Sequence, residues 1–274
     1  MGNLQQAMNI LRQDGLYSLF KKSIIHFSWL ISSHIKYLYY NIRSILFGDD
    51  IVVVNNVKLD LDSSSISTDM IKRIRKGHYE QLETQFILEY LRDDLPTFDF
   101  GSGIGYTACL IDNHVDNSVP VFGIEANKKL IPIINRNREL NSGNFTIIHS
   151  AYDSQYDTVD FQVAEDFWSS SQYDRDGKSQ QKITVNASSL EQLIHEYDLT
   201  PPIQVVVDIE GGEHDLIMNE LDLLASNCGI MIIEFHEFVE YDIDHYSSLL
   251  QNVGFELVDS ESDVHVYRNQ TFQD

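Results

Sequence analysis

The sequence predicts an α/β fold built on a mainly parallel sheet with helices on both faces. Apolar runs of strand length alternate with amphipathic runs of helix length from about residue 79 to residue 234. Such alternation is typical of parallel sheets whose crossover connections are helices. The last two apolar runs, 254–258 and 264–267, are separated only by a polar turn and are expected to pair as an antiparallel hairpin. We therefore predict a seven-stranded sheet that ends in this hairpin.

The predicted elements follow one another in a regular order. A helix at 79–91 leads into the first core strand, which ends at Phe100. The later strands are predicted near 119–124, 144–149, 203–208 and 229–234, with helices near 128–140, 188–197 and 213–225. Before them, two apolar runs flanking Asn55-Asn56 predict a small hairpin, because an asparagine pair suits a tight turn. We divide the chain into an N-terminal extension (1–50), a hairpin segment (51–76) and a main domain (77–274).

Composition favours a protein with a sizeable core and no membrane span. The chain has 274 residues, of which 43% are hydrophobic, and this suits one α/β domain with an extension. No apolar run approaches the ~18 residues that a spanning helix needs, and the start lacks a signal-peptide pattern. Cys109 and Cys228 are expected to be buried thiols and not a disulfide. A cytoplasmic location is the expectation that follows.

The formal charge of -23 is extreme and unevenly distributed. Residues 1–47 hold five basic residues against Asp14, a balance of +4, which leaves -27 on residues 48–274. A region this acidic repels phosphates, so we predict no nucleic-acid partner. The acid excess resembles that of halophile proteins, and an acidic cytosolic enzyme is the alternative.

The basic N-terminal segment, residues 16–47, interleaves aromatic and aliphatic side chains with lysines. It is predicted to be helical and amphipathic, too polar to span a bilayer but aromatic enough to lie at an interface. Three roles remain open for it: a helix docked on its own domain, a dimer surface, or a peripheral membrane anchor.

The glycine-rich loop that follows the first core strand indicates a nucleoside cofactor. Gly101, Gly103 and Gly105 follow an apolar strand, and a helix is predicted directly after them. Glu125 lies at the end of the next strand. Such a loop lets backbone N–H groups approach a ligand, and an acidic residue about 20 positions later can accept hydrogen bonds from ribose. An ordinary strand-to-helix turn is the alternative interpretation.

Charge favours S-adenosylmethionine (SAM) over a dinucleotide. The third glycine of a dinucleotide loop is replaced by Tyr106, and Asp99 at the strand end would repel a diphosphate. SAM carries an ammonium that Asp99 suits, and its ribose suits Glu125. We expect Gly101→Val to abolish SAM binding with little loss of fold.

A second acidic motif follows the fourth strand of the predicted sheet. Asp208 and Glu210 come directly after a buried apolar run, at the edge where ligands bind in open α/β sheets. Two glycines then turn the chain into a helix, with Glu213 in its first turn as a cap or dipole partner. His236 follows the next strand. Asp208, Glu210 and His236 are the candidate catalytic residues, and ordering of the turn is the alternative role for either carboxylate.

These residues also offer ligands for a divalent cation. Together with Glu234 and Glu237 they supply carboxylate oxygens and one imidazole. Their spacing matches no specific metal motif, however, and acidic residues are abundant throughout the chain. We therefore predict no metal, and activity that a chelator leaves intact.

Several blocks of this sequence resemble the FkbM family of SAM-dependent methyltransferases. The blocks are 77–80, 99–107, 121–141, 207–213 and 232–234. The most specific is Asp-Ile-Glu-Gly-Gly-Glu, which begins at Asp208 and is close to the family's Asp-Val-Glu-Gly-Ala-Glu. Two features depart from the family: Val206 stands where a lysine is usual, and Ser102-Gly103 stands where Ala-Asn is frequent.

The resemblance implies a Rossmann-like class I methyltransferase fold that uses SAM to O-methylate a sugar, glycan or other small-molecule hydroxyl. The predicted cofactor-binding residues are Tyr79, Glu80, Asp99, Gly101, Ser102, Gly103, Gly105, Tyr106, Thr107, Glu125, Ala126, Asn127, Ala151 and Asp208. Two alternatives remain open: a non-catalytic nucleoside-binding scaffold that keeps the fold, and a methyltransferase acting on protein.

The segment 161–182 is long for a connection in a compact domain. Such loops often form lids or specificity elements, and Trp168 and Tyr173 would suit stacking on a sugar ring. A surface excursion without a role in binding is the alternative.

Overall fold

The computed structural model describes residues 51–61, 66–163, 181–236 and 243–272. The strands are β1 (Ile51–Val54), β2 (Val57–Asp60), β3 (Thr97–Phe100), β4 (Val121–Ile124), β5 (Thr146–Ile148), β6 (Ala151–Tyr152), β7 (Thr158–Val163), β8 (Gln181–Ser188), β9 (Ile203–Val207), β10 (Cys228–Glu234), β11 (Phe255–Glu261) and β12 (Val264–Asn269). The α-helices are α1 (Thr68–Arg75), α2 (Gln81–Tyr90), α3 (Tyr106–His114), α4 (Ile131–Asn141), α5 (Leu190–Glu196), α6 (Glu213–Asn227) and α7 (Ile243–Asn252).

The central sheet has seven strands in the order β11-β12-β10-β9-β3-β4-β5. The five strands from β10 to β5 are parallel neighbours. β12 runs antiparallel to both β10 and β11, so the chain ends in the predicted hairpin. This arrangement confirms the Rossmann-like class I methyltransferase fold expected from the sequence. It also brings the carboxyl ends of β3, β4, β9 and β10 to one edge of the sheet.

Alternation along each strand divides the core between the two faces of the sheet. In β9, Val205 and Val207 belong to the cluster that also contains residues of α5, α6 and α7, whereas Val206 belongs to the cluster on the other face. Period-two alternation therefore explains how one uninterrupted apolar run supplies both layers. In β3, Phe98 and Phe100 face the α6 side, which directs Asp99 to the opposite face.

The small hairpin of β1 and β2 packs against the α4 side of the sheet. Asn55 and Asn56 at its turn have φ values of 49° and 68°, the left-handed conformation that a tight two-residue turn requires. Asn137, fully buried in α4, accepts a hydrogen bond from the Asp60 N–H at 2.8 Å. The same side chain donates to the Ile104 carbonyl at 2.9 Å. One asparagine therefore connects the hairpin, α4 and the glycine-rich loop.

The structure differs from the sequence predictions at two places in the chain. The polar stretch after the hairpin contains α1, a helix in which Met70 and Ile74 are the buried residues. The segment 161–182 was predicted as a long loop, but its ends belong to β7 and β8, which pair antiparallel beside β6. Trp168 and Tyr173 lie outside the described residues, as does the extension 1–50, so their roles and the three predicted units of the chain stay predictions.

Among the described residues, no helix is both long and apolar enough to cross a bilayer.

Candidate active site

The glycine-rich loop leaves β3 at the carboxyl edge of the sheet and turns into α3. The N–H groups of Gly101 and Ser102 both donate to the Ile124 carbonyl at 3.0 Å, which anchors the loop to the end of β4. Gly101 has φ +91°, and a Cβ there would lie 1.7 Å from the backbone oxygen of Asp208. A side chain at this position would therefore displace the chain at Asp208. The prediction that Gly101→Val spares the fold is wrong.

Asp99 supports this loop from the side that faces away from the cleft. Its carboxylate accepts hydrogen bonds from the hydroxyls of Ser102 at 2.7 Å and Thr107 at 2.9 Å. Burial raises the pKa of Asp99 to about 6, although these hydroxyls oppose the shift. Tyr106 is also fully buried, and its hydroxyl bonds to Asn55 at 2.7 Å. These four predicted cofactor residues therefore lie behind the loop, where they support its backbone, and they are not among the residues that line the cleft.

The loop forms one wall of a cleft of about 660 Å³, its open mouth included. The predicted residues that line this cleft are Tyr79, Glu80, Gly101, Gly103, Glu125, Ala126, Ala151, Asp208 and Glu210. Sequence reasoning missed Ile124, Ser150, Tyr152, Phe161 and Ile209, which also line it. Most of these are apolar and follow strand ends, where a ligand-binding edge is expected. The cleft has the mixed apolar and polar lining of a small-molecule site.

Glu125 lies at the end of β4 in this cleft and is 7% exposed. Its Oε2 accepts from the Gly103 N–H at 2.8 Å, and its Oε1 accepts from the Asn127 N–H at 2.6 Å. Burial raises its pKa to about 7, against the effect of these backbone hydrogen bonds. The side chain is thus oriented by the glycine-rich loop on one side and by Asn127 on the other.

The opposite end of the cleft is formed by the turn between β9 and α6. Glu210 has φ 52° and Gly211 has φ 106°, so the chain reverses sharply after Asp208. Glu213, 2% exposed, accepts from the N–H groups of Ile209 at 3.2 Å and Gly211 at 2.8 Å. Glu213 therefore fixes the turn that presents Asp208 and Glu210 to the cleft.

His236 follows β10 and brings the three candidate catalytic residues together. Its Nδ1 donates to Oε1 of Glu213 at 2.8 Å. Its Nε2 lies 3.3 Å from Oε2 of Glu210 and 3.6 Å from Oδ1 of Asp208. Burial alone lowers the pKa of His236, but the carboxylates of Glu213, Asp208 and Glu210 outweigh it and raise this pKa to about 9. The imidazolium thus offsets part of the local negative charge.

Asp208 keeps one oxygen without a hydrogen bond. Its Oδ1 is buried and accepts none from the described residues. Burial raises its pKa well above the usual range; His236 opposes the shift and Glu210 adds to it. An acceptor of this kind at the wall of a cleft is suited to a hydroxyl or to a cation.

A second group of carboxylates adjoins Asp208 where α2 faces the end of β10. Glu80, Glu83 and Glu234 each offer an oxygen, and these oxygens lie within 4.8 Å of one another. Asp208, Glu234 and His236 form a second such set. Glu83 is 6% exposed and was missed by the sequence analysis. Glu80 directly precedes α2 in a left-handed conformation, with φ 45° and ψ 49°, so its spacing from Glu83 did not indicate that the two side chains meet.

Comparison with solved structures finds proteins at low sequence identity, two of which were solved with bound SAM (AdoMet). The magnesium protoporphyrin IX methyltransferase of Synechocystis PCC 6803, solved with bound SAM, is 12% identical over 74% of this chain and 85% of that chain, with a TM-score of 0.44. TYW2 from M. jannaschii, solved in complex with AdoMet, is 15% identical over 80% and 85% of the two chains, with a TM-score of 0.40. No curated protein sequence matches this chain.

The match to a protein family covers most of the residues that line the cleft. The family described as the methyltransferase FkbM domain matches residues 99–257, more than half of the chain. The matched region begins at Asp99 and includes Glu125, Asp208 and His236. The chain therefore belongs to the FkbM methyltransferase family.

Proposed function

We propose that this protein is a SAM-dependent methyltransferase that methylates a hydroxyl of a sugar, glycan or other small molecule. The observation that carries the proposal is the pairing, across one cleft, of an open glycine backbone and Glu125 with the acidic turn at Asp208. The family match supports methyl transfer. The acceptor class rests on the resemblance to the family and on the negative charge of the body, which disfavours phosphate-rich acceptors.

The residues of the cleft fit SAM. Gly101 and Gly103 line the cleft, so backbone without side chains borders it at this wall. Glu125 has two oriented oxygens that can accept from the two ribose hydroxyls, while Ala126 and Ala151 leave room for the adenine. The apolar Ile124 and Phe161 supply surface for a flat base. Gly101 and Gly103 border the remaining part of the cleft, toward Asp208.

SAM would supply a methyl group that its sulfonium already activates. The chain then has to orient the acceptor hydroxyl and accept its proton, and positioning accounts for much of such catalysis. The carboxylate of Asp208 is the group we assign to the proton, because it lines the cleft and its raised pKa makes it a stronger base than an ordinary aspartate. Glu210 borders the same wall and would bind a neighbouring hydroxyl. The imidazolium of His236 lies close to both carboxylates and offsets part of their negative charge.

A methyl-transfer assay tests this proposal. The full chain is incubated with isotopically labelled SAM and glycan or small-molecule extracts, and the products are analysed by mass. A labelled hydroxyl product that requires Asp208 supports the proposal. Label appearing only in protein would favour the protein-methyltransferase alternative. Binding neither SAM nor its demethylated product, S-adenosylhomocysteine (SAH), would favour the scaffold.

A further inference from the structure

Tyr106 begins α3 at the end of the glycine-rich loop and is fully buried. It does not line the cleft, although the sequence predicted it as a cofactor-binding residue. Its hydroxyl is hydrogen-bonded to Nδ2 of Asn55 at 2.7 Å and to the hydroxyl of Thr84 at 2.8 Å. Asn55 belongs to the turn of the β1–β2 hairpin, and Thr84 belongs to α2. This buried hydroxyl therefore connects the hairpin to α2.

The direction of each hydrogen bond in this connection follows from the groups involved. The hydroxyl of Thr84 contacts the carbonyl of Glu80, which can only accept, so Thr84 donates its single proton there. Tyr106 must then donate to Thr84 and accept from the amide of Asn55. Burial raises the pKa of Tyr106 to about 12, so its phenol keeps this proton at neutral pH. Three hydrogen bonds thus run in one direction from Asn55 to the Glu80 backbone, and bonds in such a chain strengthen one another.

Glu80, the last residue of this chain of hydrogen bonds, lines the cleft. Its backbone has φ 45° and ψ 49°, a left-handed conformation that residues other than glycine adopt rarely. Its carbonyl accepts the N–H of Thr84 at 3.0 Å in addition to the hydroxyl. Such conformations persist where the surrounding structure enforces them, and they are frequent at binding sites. The bonds from Thr84 are contacts that can enforce this one.

The ring of Tyr106 also contacts a residue of the cleft. It packs against the ring of Tyr79 with the centroids 5.6 Å apart and the planes at 57°, and Tyr79 lines the cleft. Tyr79 in turn lies within hydrogen-bond reach of the carboxyl group of Glu80. Tyr106 therefore reaches this wall of the cleft by two routes, through its ring and through its hydroxyl.

We propose that Tyr106, together with Asn55, is a positioning residue for Glu80 at the wall of the cleft. Asn55 lies outside the family-matched region 99–257, so the N-terminal hairpin becomes part of the structure that supports the binding site. The effect on ligand affinity rests on the proposed function. The effect on the Glu80–Thr84 contact does not, because it concerns the chain without a ligand.

Two measurements on Tyr106→Phe test the proposal: amide hydrogen exchange at Thr84 by NMR, and SAH affinity by calorimetry. This variant keeps the ring and removes only the hydroxyl. We expect the Thr84 N–H to exchange about 3–10-fold faster and SAH to bind about 3–10-fold more weakly, the size expected for one hydrogen bond. Tyr267→Phe is the matched control, because Tyr267 is equally buried, bonds to Ser247 at 2.6 Å and does not line the cleft. It should leave both values unchanged.

Asn55→Gly provides a second variant, since glycine readily adopts the φ of 49° found at this turn while the amide donor is lost. It should change both values in the same direction as Tyr106→Phe, and it decides the question if Tyr106→Phe does not fold. Thr84 exchange that matches the parent in the folded variants would overturn the inference. Equal SAH affinity in the parent and these variants would also overturn it, because the hydroxyl would then have only a structural role. A parent that binds no SAH contradicts the proposed function, and Thr84 exchange then decides the inference alone.

Discussion

At the residue scale, the buried carboxylates of this protein have two different surroundings. Asp99 and Glu213 accept hydrogen bonds from nearby hydroxyl or backbone N–H groups, and they stabilise the two turns that border the cleft. Oδ1 of Asp208 accepts no hydrogen bond from the described residues, and Glu83 lies within hydrogen-bond reach of the carboxyl groups of Glu80 and Glu234. Asp99 and Glu213 therefore shape the site, whereas Asp208 lines the cleft that a ligand would occupy.

Asp208 is the residue whose loss should affect turnover most. Asp208→Asn preserves shape but cannot take a proton, so we expect turnover to fall by about 10²–10⁴-fold with most cofactor affinity retained. Glu210→Gln and His236→Ala should have smaller effects. Single-turnover rates and SAH calorimetry on the same samples check this. A large loss in His236→Ala with little loss in Asp208→Asn would instead assign the proton to His236.

Glu125 should give cofactor binding a pH dependence near neutrality. Burial raises its pKa to about 7, and hydrogen bonds from ribose hydroxyls favour the ionised form. SAH affinity should therefore decrease as the pH falls below about 7, with proton release on binding there. In Glu125→Gln this dependence should be lost. Asp99, with a pKa of about 6, titrates in both proteins, so their difference isolates Glu125. Identical pH profiles would contradict the ribose assignment.

At the element scale, the hairpin of β1 and β2 is joined to the cofactor loop through α4. Asn137 accepts from Asp60 and donates to Ile104, both in buried surroundings. Asn141, one turn later, donates to and accepts from the backbone of Lys58 at 2.7 and 2.8 Å. The glycine-rich loop is thus supported from α4 as well as from β4.

Asn137→Ala should lower the free energy of unfolding by about 1–3 kcal/mol, because it leaves a buried N–H and a buried carbonyl without partners. Asn144→Ala, at an exposed position, is the matched control and should change it by less than about 0.5 kcal/mol. Urea denaturation followed by circular dichroism measures both. Equal stability of the two variants would show that this connection contributes nothing.

The elements that the sequence predicted best are those with long apolar runs. β9 and β10 are buried on both faces, and their runs of valine and isoleucine allow few other interpretations. α1 was missed because only Met70 and Ile74 of its eight residues are buried. The position of Asp99 depends on which face of β3 it occupies, and the alternation with Phe98 and Phe100 was the signal for it. Glu83 reaches the site only through the packing of α2 against β10, which sequence spacing does not report.

At the scale of the whole molecule, the end of the cleft near Asp208 is rich in acidic residues, as is the chain from residue 48 to residue 274. Residues 48–274 carry -27, and the carboxyl groups of Glu80, Asp208, Glu210 and Glu234 lie together at one edge of the sheet. A cationic sulfonium, a divalent cation and an uncharged polyol are compatible with that field, whereas a polyphosphate is repelled. The electrostatics of the molecule and the family match therefore both favour the cationic cofactor SAM.

The most direct test of this account is calorimetric titration of the wild-type chain with SAH, repeated with NAD⁺ and with the variants Glu125→Ala and Glu139→Gln. We predict one SAH per chain, no binding of NAD⁺, and a loss of about 1.5–3 kcal/mol in Glu125→Ala, as expected for hydrogen bonds to a charged group. Glu139→Gln, a change at an exposed carboxylate on α4, should bind like the parent. NAD⁺ binding without SAH binding, or equal SAH affinity in all three proteins, would contradict the assignment of this cleft to SAM.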